Sequence, residues 1–187
     1  MNSVQIAILS LALALNSFIA YLTAGVVMKD ENVARKLRYS LVMLFTQAIL
    51  AASGLWVGVR IGLLASNSNY YIATGMLVFM GLKILLDSIR IKPEDRTFDL
   101  SEMRTIIMLS LAEGIPPLIV CIAIGLTLES AVVPLFIVVL FQLLALISGL
   151  VLGTVYGSAS LKLRTGPIGG LIMLAAAIKL IIDLIGF

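Results

Sequence analysis

The sequence predicts an all-α integral membrane protein of six transmembrane helices arranged as a 3+3 inverted repeat, and three observations carry that expectation. First, 61% of the 187 residues are hydrophobic and only 12% are charged, with a mean hydropathy of +1.15, a balance no soluble globular domain of this size approaches. Second, six apolar runs, each of roughly 20 residues or more, can cross a hydrocarbon core of about 30 Å as helices. They span Val4 to Met28, Leu37 to Ile61, Tyr70 to Ile89, Thr105 to Leu126, Ala131 to Tyr156 and Pro167 to Phe187. Third, one polar-headed glycine pattern occurs twice: Gln47 with Gly54, Gly58 and Gly62, and Gln142 with Gly149, Gly153 and Gly157. Strand-like alternation is absent, which argues against a barrel.

The distribution of charge orients the spans. The segments after spans one, three and five carry Lys29, Arg35, Lys36, Arg38, Arg90, Lys92, Arg96, Arg104, Lys162 and Arg164, and the opposite side carries only Arg60. This bias places those three segments in the cytoplasm and both termini outside it, in a multi-pass protein of the cytoplasmic (inner) membrane. The first basic residue is Lys29, so the first apolar run lacks the charged start of a signal peptide and is expected to persist as a helix. With Cys121 as the single cysteine and no histidine, an intramolecular disulfide is excluded and the commonest transition-metal ligand is missing.

Taken in order, span one is apolar except for Asn16-Ser17 at its centre and Thr23 below, a cluster that could simply bond to a neighbouring helix. In span two, Gln47 and its glycines share one stripe of a helix roughly 80° wide. Glycines spaced by four mark close helix contact, whereas the amide at their head is a candidate ligand. Span three closes with Lys83 and Asp87, four apart and able to pair within the helix. Charges at this depth flag either a functional pathway or a buried pair that fixes packing. The segment 93–104 forms a cytoplasmic linker between a first three-helix repeat, 1–92, and a second, 105–187; Pro93 prevents a continuous helix through it. Span four contains Glu113-Gly114-Ile115-Pro116-Pro117. Glu113 has no basic residue four positions to either side, and the prolines are expected to bend or break the helix just after it. Such backbone survives in a bilayer only where protein or a water-filled cavity surrounds it, so Glu113 reads as a site. Span five repeats the glutamine and its glycines. Span six opens at Gly166-Pro167 and holds Lys179 and Asp183, again four apart.

The segment Gly81-Leu82-Lys83-Ile84-Leu85-Leu86-Asp87 reappears as Ala177-Ile178-Lys179-Leu180-Ile181-Ile182-Asp183, 96 residues on, while the glutamine stripe repeats 95 residues on. Two separate patterns thus make spans one to three and four to six copies. An odd number of spans per copy forces the second to run inverted, the architecture of secondary transporters with a site near the midplane. On this offset Asn16 falls opposite Ala112 and Glu113.

Leu15-Asn16-Ser17-Phe18, Phe45-Thr46-Gln47-Ala48 through Gly54, and Gly169-Gly170-Leu171 through Asp183 resemble the MntP-type manganese efflux pumps of the LysE transporter superfamily. The resemblance covers most of the chain at the level of span order. It implies a metal exporter whose two candidate ligand aspartates, in spans one and four, map to Asn16 and Glu113. The family's Gln-Ala-x-x-Pro pattern matches Gln47-Ala48, with Ala51 in place of the proline. One carboxylate plus amide oxygens stands where the family pattern implies two carboxylates, and manganese accepts oxygen-rich sites.

The sequence therefore points to a secondary transporter that exports a divalent cation, Mn²⁺ foremost, by alternating access. Glu113 is the anionic ligand and a protonation switch; Asn16, Gln47 and Gln142 add oxygens, completed by carbonyls freed by Pro116 and Pro117. Lys83 with Asp87 and Lys179 with Asp183 serve as symmetric charge pairs in gating. Proton counterflow is the simplest drive, since metal and proton compete for one carboxylate. The partners implied are the lipid bilayer, the transported cation and protons, without a resident cofactor or nucleic acid; a homo-oligomer stays open. Two other readings remain: export of a small organic amine or amino acid, and a non-transporting membrane scaffold that has lost one ligand aspartate. No nucleophile and base pair or cofactor motif suggests an enzyme.

Overall fold

The computed structural model describes residues 1–64, 68–90, 102–128, 130–156 and 166–185. They form six helices and, among the described residues, no strand: α1 (Ser3–Val27), α2 (Val33–Leu64), α3 (Asn69–Arg90), α4 (Met103–Leu126), α5 (Val132–Tyr156) and α6 (Gly166–Ile185). The first five are long and apolar enough to cross a membrane, and α6 is apolar over Pro167–Ile182. Of the linker expected over 93–104, residues 93–101 lie outside the described residues.

Hydrocarbon leaves no solvent for stray backbone groups, so apolar runs of this length close their hydrogen bonds internally as helices. Small hydroxyls inside the spans do the same: Ser10 Oγ donates to the Ile6 carbonyl at 2.7 Å, Ser110 Oγ to that of Ile106 at 2.7 Å, and Thr23 Oγ1 to that of Ile19 at 2.9 Å. Asn32 starts α2 by accepting the Arg35 N–H on its side-chain oxygen at 3.0 Å. The expected break in span four does not occur, since α4 runs from Met103 through both prolines to Leu126. Pro116 and Pro117 withhold only the N–H groups that would reach the carbonyls of residues 112 and 113, and close packing of α2 along α4 holds the rest of the helix in line.

Glycine sets how the helices meet. A β-carbon on Gly54 would run into the Leu118 carbonyl and lie 3.1 Å from Cys121 Cβ; one on Gly58 would run into the Ile122 carbonyl and lie 2.9 Å from Gly125 Cα. In the same way Gly149 backs onto Phe18 and Tyr21, and Gly153 onto Leu22 and Gly25. Contacts that advance together along both chains mean that α2 and α4 run parallel, as do α1 and α5. By contrast Gly81 meets Leu174 while Gly170 meets Leu85, so α3 and α6 run antiparallel. Helices crossing in alternating directions give this set of orientations. In the α2–α4 contact each α4 partner is numbered 100 above the α1 residue with the same role in the α5–α1 contact: Phe18 and Leu118, Tyr21 and Cys121, Leu22 and Ile122, Gly25 and Gly125. Asn16 thus corresponds to Pro116, not to Ala112 or Glu113 as the sequence offset suggests. The cause is length: fourteen residues separate Val33 from Gln47, but ten separate Val132 from Gln142, so α2 enters with an extra helical turn.

Outward faces are apolar, with Phe45, Ile49, Trp56, Phe136 and Ile147 all exposed, as a surface bathed in lipid tails requires. The interior falls into two apolar clusters. One gathers Tyr21, Met28, Tyr39, Met43, Ile106 and Leu146; the other includes Ile6, Leu13, Leu55, Val120, Val138 and Met173. In three helices polar residues mark the crossover between them, and in α1, where it falls between Leu13 and Ala14, Ser17 follows about one turn on. Gln47 lies between Met43 and Ala51, Ser110 and Glu113 between Leu109 and Val120, and Gln142 between Val138 and Ala145.

Candidate functional site

This polar layer is built by helix periodicity. Tyr39, Met43 and Gln47 stand four apart on α2, ahead of Gly54 and Gly58, and all are buried. The face that brings α2 against α4 therefore carries its polar head into the bundle. Ser110 and Gly114 of α4 meet this face: Ser110 Oγ lies 2.8 Å from Met43 Sδ, and Gly114 is covered by Leu50. On the other side of the layer, Ser17 and Tyr21 stand one turn apart on α1 and are both buried.

At the centre is Tyr21. Its hydroxyl donates to Gln142 Oε1 across a long 3.4 Å hydrogen bond, with Gln47 and Ser17 beside it and Glu113 near enough to act on it electrostatically. Tyr39 is likewise in the field of Glu113. The layer is under-satisfied. Ser17 Oγ, Tyr39 Oη, both amide atoms of Gln47 and the Gln142 nitrogen are buried and make no hydrogen bond. A buried polar group left without a partner costs about 1–3 kcal/mol, so several in one place mark a space shaped for something other than hydrocarbon.

The structure brings Gln47, Gln142 and Glu113 toward this centre but sets Asn16 apart. Asn16 is half-buried, and its backbone lies against Gly169 of α6, while its neighbour Ser17 turns to the layer. Lys83 and Asp87 form their pair, Nζ to Oδ2 at 2.7 Å, on a face of α3 where both stay 40% exposed or more. Lys179 is exposed on α6; the Asp183 side chain lies outside the described residues. Sequence reasoning missed Tyr21 and Tyr39, because a tyrosine in an apolar span reads as an interfacial anchor. The signal was the helical spacing, four residues from Ser17 to Tyr21 and eight, or two turns, from Tyr39 to Gln47.

Among the described residues, no three His, Cys, Asp or Glu side chains come together. A cation held here would meet one carboxylate, Glu113, and otherwise neutral oxygens.

The chain is similar to proteins named "Putative manganese efflux pump MntP". That of Methanocorpusculum labreanum is 26% identical over 180 residues, covering 94% of each chain. That of Parabacteroides distasonis is 27% identical over 187 residues and 96% of each. That of Gloeothece citriformis is 25% identical over 179 residues, covering 96% of this chain and 94% of its own. No solved structure matches. The family described as "Putative manganese efflux pump" matches residues 30–181, and the chain belongs to it.

Proposed function

We propose that this protein is a secondary transporter that exports a divalent metal cation, Mn²⁺ foremost, through the polar layer by alternating access. The observation that carries the reading is Gln47, whose amide is fully buried with neither polar atom hydrogen-bonded, within a layer that also holds Glu113. A carboxylate with amide and hydroxyl oxygens suits Mn²⁺. The names of the relatives support the same cargo.

The layer lies between two apolar clusters, one to each side, which suits a site that opens by parting one cluster at a time. A 3+3 inverted repeat is supported by the matching contacts of α2 on α4 and α5 on α1. The ten-to-one bias of basic residues supports termini outside the cytoplasm. In this reading Glu113 exchanges metal for protons, which supplies the drive, and Gln47 adds an amide oxygen to the surroundings of the ion. Lys83 with Asp87 and Lys179 with Asp183 act as symmetric charge pairs in gating.

The test is flux of Mn²⁺, Fe²⁺, Zn²⁺ and Cd²⁺ into proteoliposomes with a pH-sensitive dye inside, for wild type and Glu113→Gln. Mn²⁺ flux with proton counterflow in the wild type, both lost in the variant, is expected. Unchanged flux in Glu113→Gln would overturn the assignment of that carboxylate. Flux of an amino acid or amine that Mn²⁺ fails to inhibit would make the cargo organic, and no flux of any kind would favour a scaffold.

A further inference from the structure

Gln47 and Gln142 stand at the same place relative to their glycines, yet their surroundings differ. Gln142 Oε1 accepts the Tyr21 hydroxyl at 3.4 Å. Gln47, 1% exposed, makes no hydrogen bond through either amide atom. The difference traces to the residue that meets the first glycine of each stripe. Gly149 packs on Tyr21, and Gly54 packs on Cys121. Each glutamine lies seven residues, two helical turns, before its glycine. From Cβ, a tyrosine side chain reaches back along the helix far enough to place a hydroxyl at the glutamine, whereas a cysteine ends one atom beyond Cβ. The α1–α5 pair thus carries a bond between ring and amide for which the α2–α4 pair has no atom.

We propose that the two glutamines have separate tasks: Gln142 is latched by Tyr21, tying α1 to α5 across the layer, while Gln47 presents its amide oxygen to the transported cation. The division of tasks rests on the metal-export reading. It follows from what a metal needs, which is an oxygen lone pair facing an open position. Gln142 Oε1 already takes a hydrogen from Tyr21, whereas Gln47, though also beside the Tyr21 hydroxyl, takes none on its Oε1. Tyr21 is then a positioning residue rather than a ligand. Its ring belongs to the apolar cluster with Tyr39 and Met43, and its hydroxyl ends in the layer. Breaking the Tyr21–Gln142 bond loosens α1 from α5 without removing a ligand.

Mn²⁺ flux kinetics in proteoliposomes separate the tasks. Gln47→Leu is expected to raise KM about tenfold with maximal rate within about twofold, as loss of a ground-state ligand does. Tyr21→Phe and Gln142→Leu should each change maximal rate by about threefold or more while KM stays within about twofold, and the double variant should match the stronger single one. Tyr21→Phe removes one oxygen and keeps the ring, so the fold is preserved. A rise in KM for Gln142→Leu equal to that of Gln47→Leu would overturn the division. If wild type moves no Mn²⁺, the export reading fails and so does the ligand task of Gln47. The latch is then read by thermal unfolding in detergent. Coupling of Tyr21→Phe to Gln142→Leu greater than to Gln47→Leu supports it, and equal or smaller coupling overturns it.

Discussion

Gln47 is where residue chemistry and stability pull apart. Its amide is fully buried with no bonded partner, an arrangement that costs about 1–3 kcal/mol relative to an apolar side chain of similar shape. Gln47→Leu is therefore expected to raise the melting temperature in detergent while weakening metal binding. A lower melting temperature would show that the amide is engaged in the folded state. The sequence exposed this residue as a candidate because a polar amide at the head of a glycine stripe has no packing reason to be there twice. It did not expose Tyr21, whose part depends on Gln142 being 121 residues away in sequence and 3.4 Å away in space. It put forward Asn16 rather than Ser17, a choice that spacing along one helix cannot make. Consecutive helix residues point about 100° apart, and only a neighbouring helix decides which of the two faces inward. Here α6 closes on the backbone of Asn16, and Ser17 turns to Tyr21.

At the scale of elements, the glycine stripes are contact surfaces, and their energetics can be tested by adding a methyl group. Gly58→Ala would push a β-carbon into the Ile122 carbonyl, with Gly125 Cα 2.9 Å away on the same wall. Two backbones must part to make room, so the variant should lose about 1–3 kcal/mol of stability. Gly75→Ala is the control, since nothing lies within 4 Å of its added carbon, and better helix propensity should leave it neutral or more stable by up to about 1 kcal/mol. Unfolding of both variants in a denaturant series checks the contrast; equal losses would mean that α2 and α4 do not touch as closely as described. The helices themselves were legible, because length and apolar composition suffice in hydrocarbon. The fate of α4 at Pro116 and Pro117 was not. A proline removes one donor, and whether the helix then breaks depends on the walls around it.

At the scale of the whole molecule, the basic residues predict orientation and the helix directions agree with six alternating crossings. In a Cys121→Ser background, Ser3→Cys and Ser68→Cys should react with a membrane-impermeant maleimide on intact cells, and Asn32→Cys only after permeabilisation. The reverse pattern would invert the topology and with it the direction of transport proposed here. By itself the sequence determined the number and position of the helices, the repeated stripe and the candidate carboxylate. Each of these is written in composition or in spacing along one helix, and a bilayer enforces helix on any apolar run of that length. The tertiary structure alone decided the axial register of α1 and α4, the rotation that turns Ser17 and Tyr21 inward, and the separation of two apolar clusters by one polar layer. An apolar helix can turn or slide in lipid with little change in hydration, so those choices fall to close packing at glycine and to the few polar groups that must find each other.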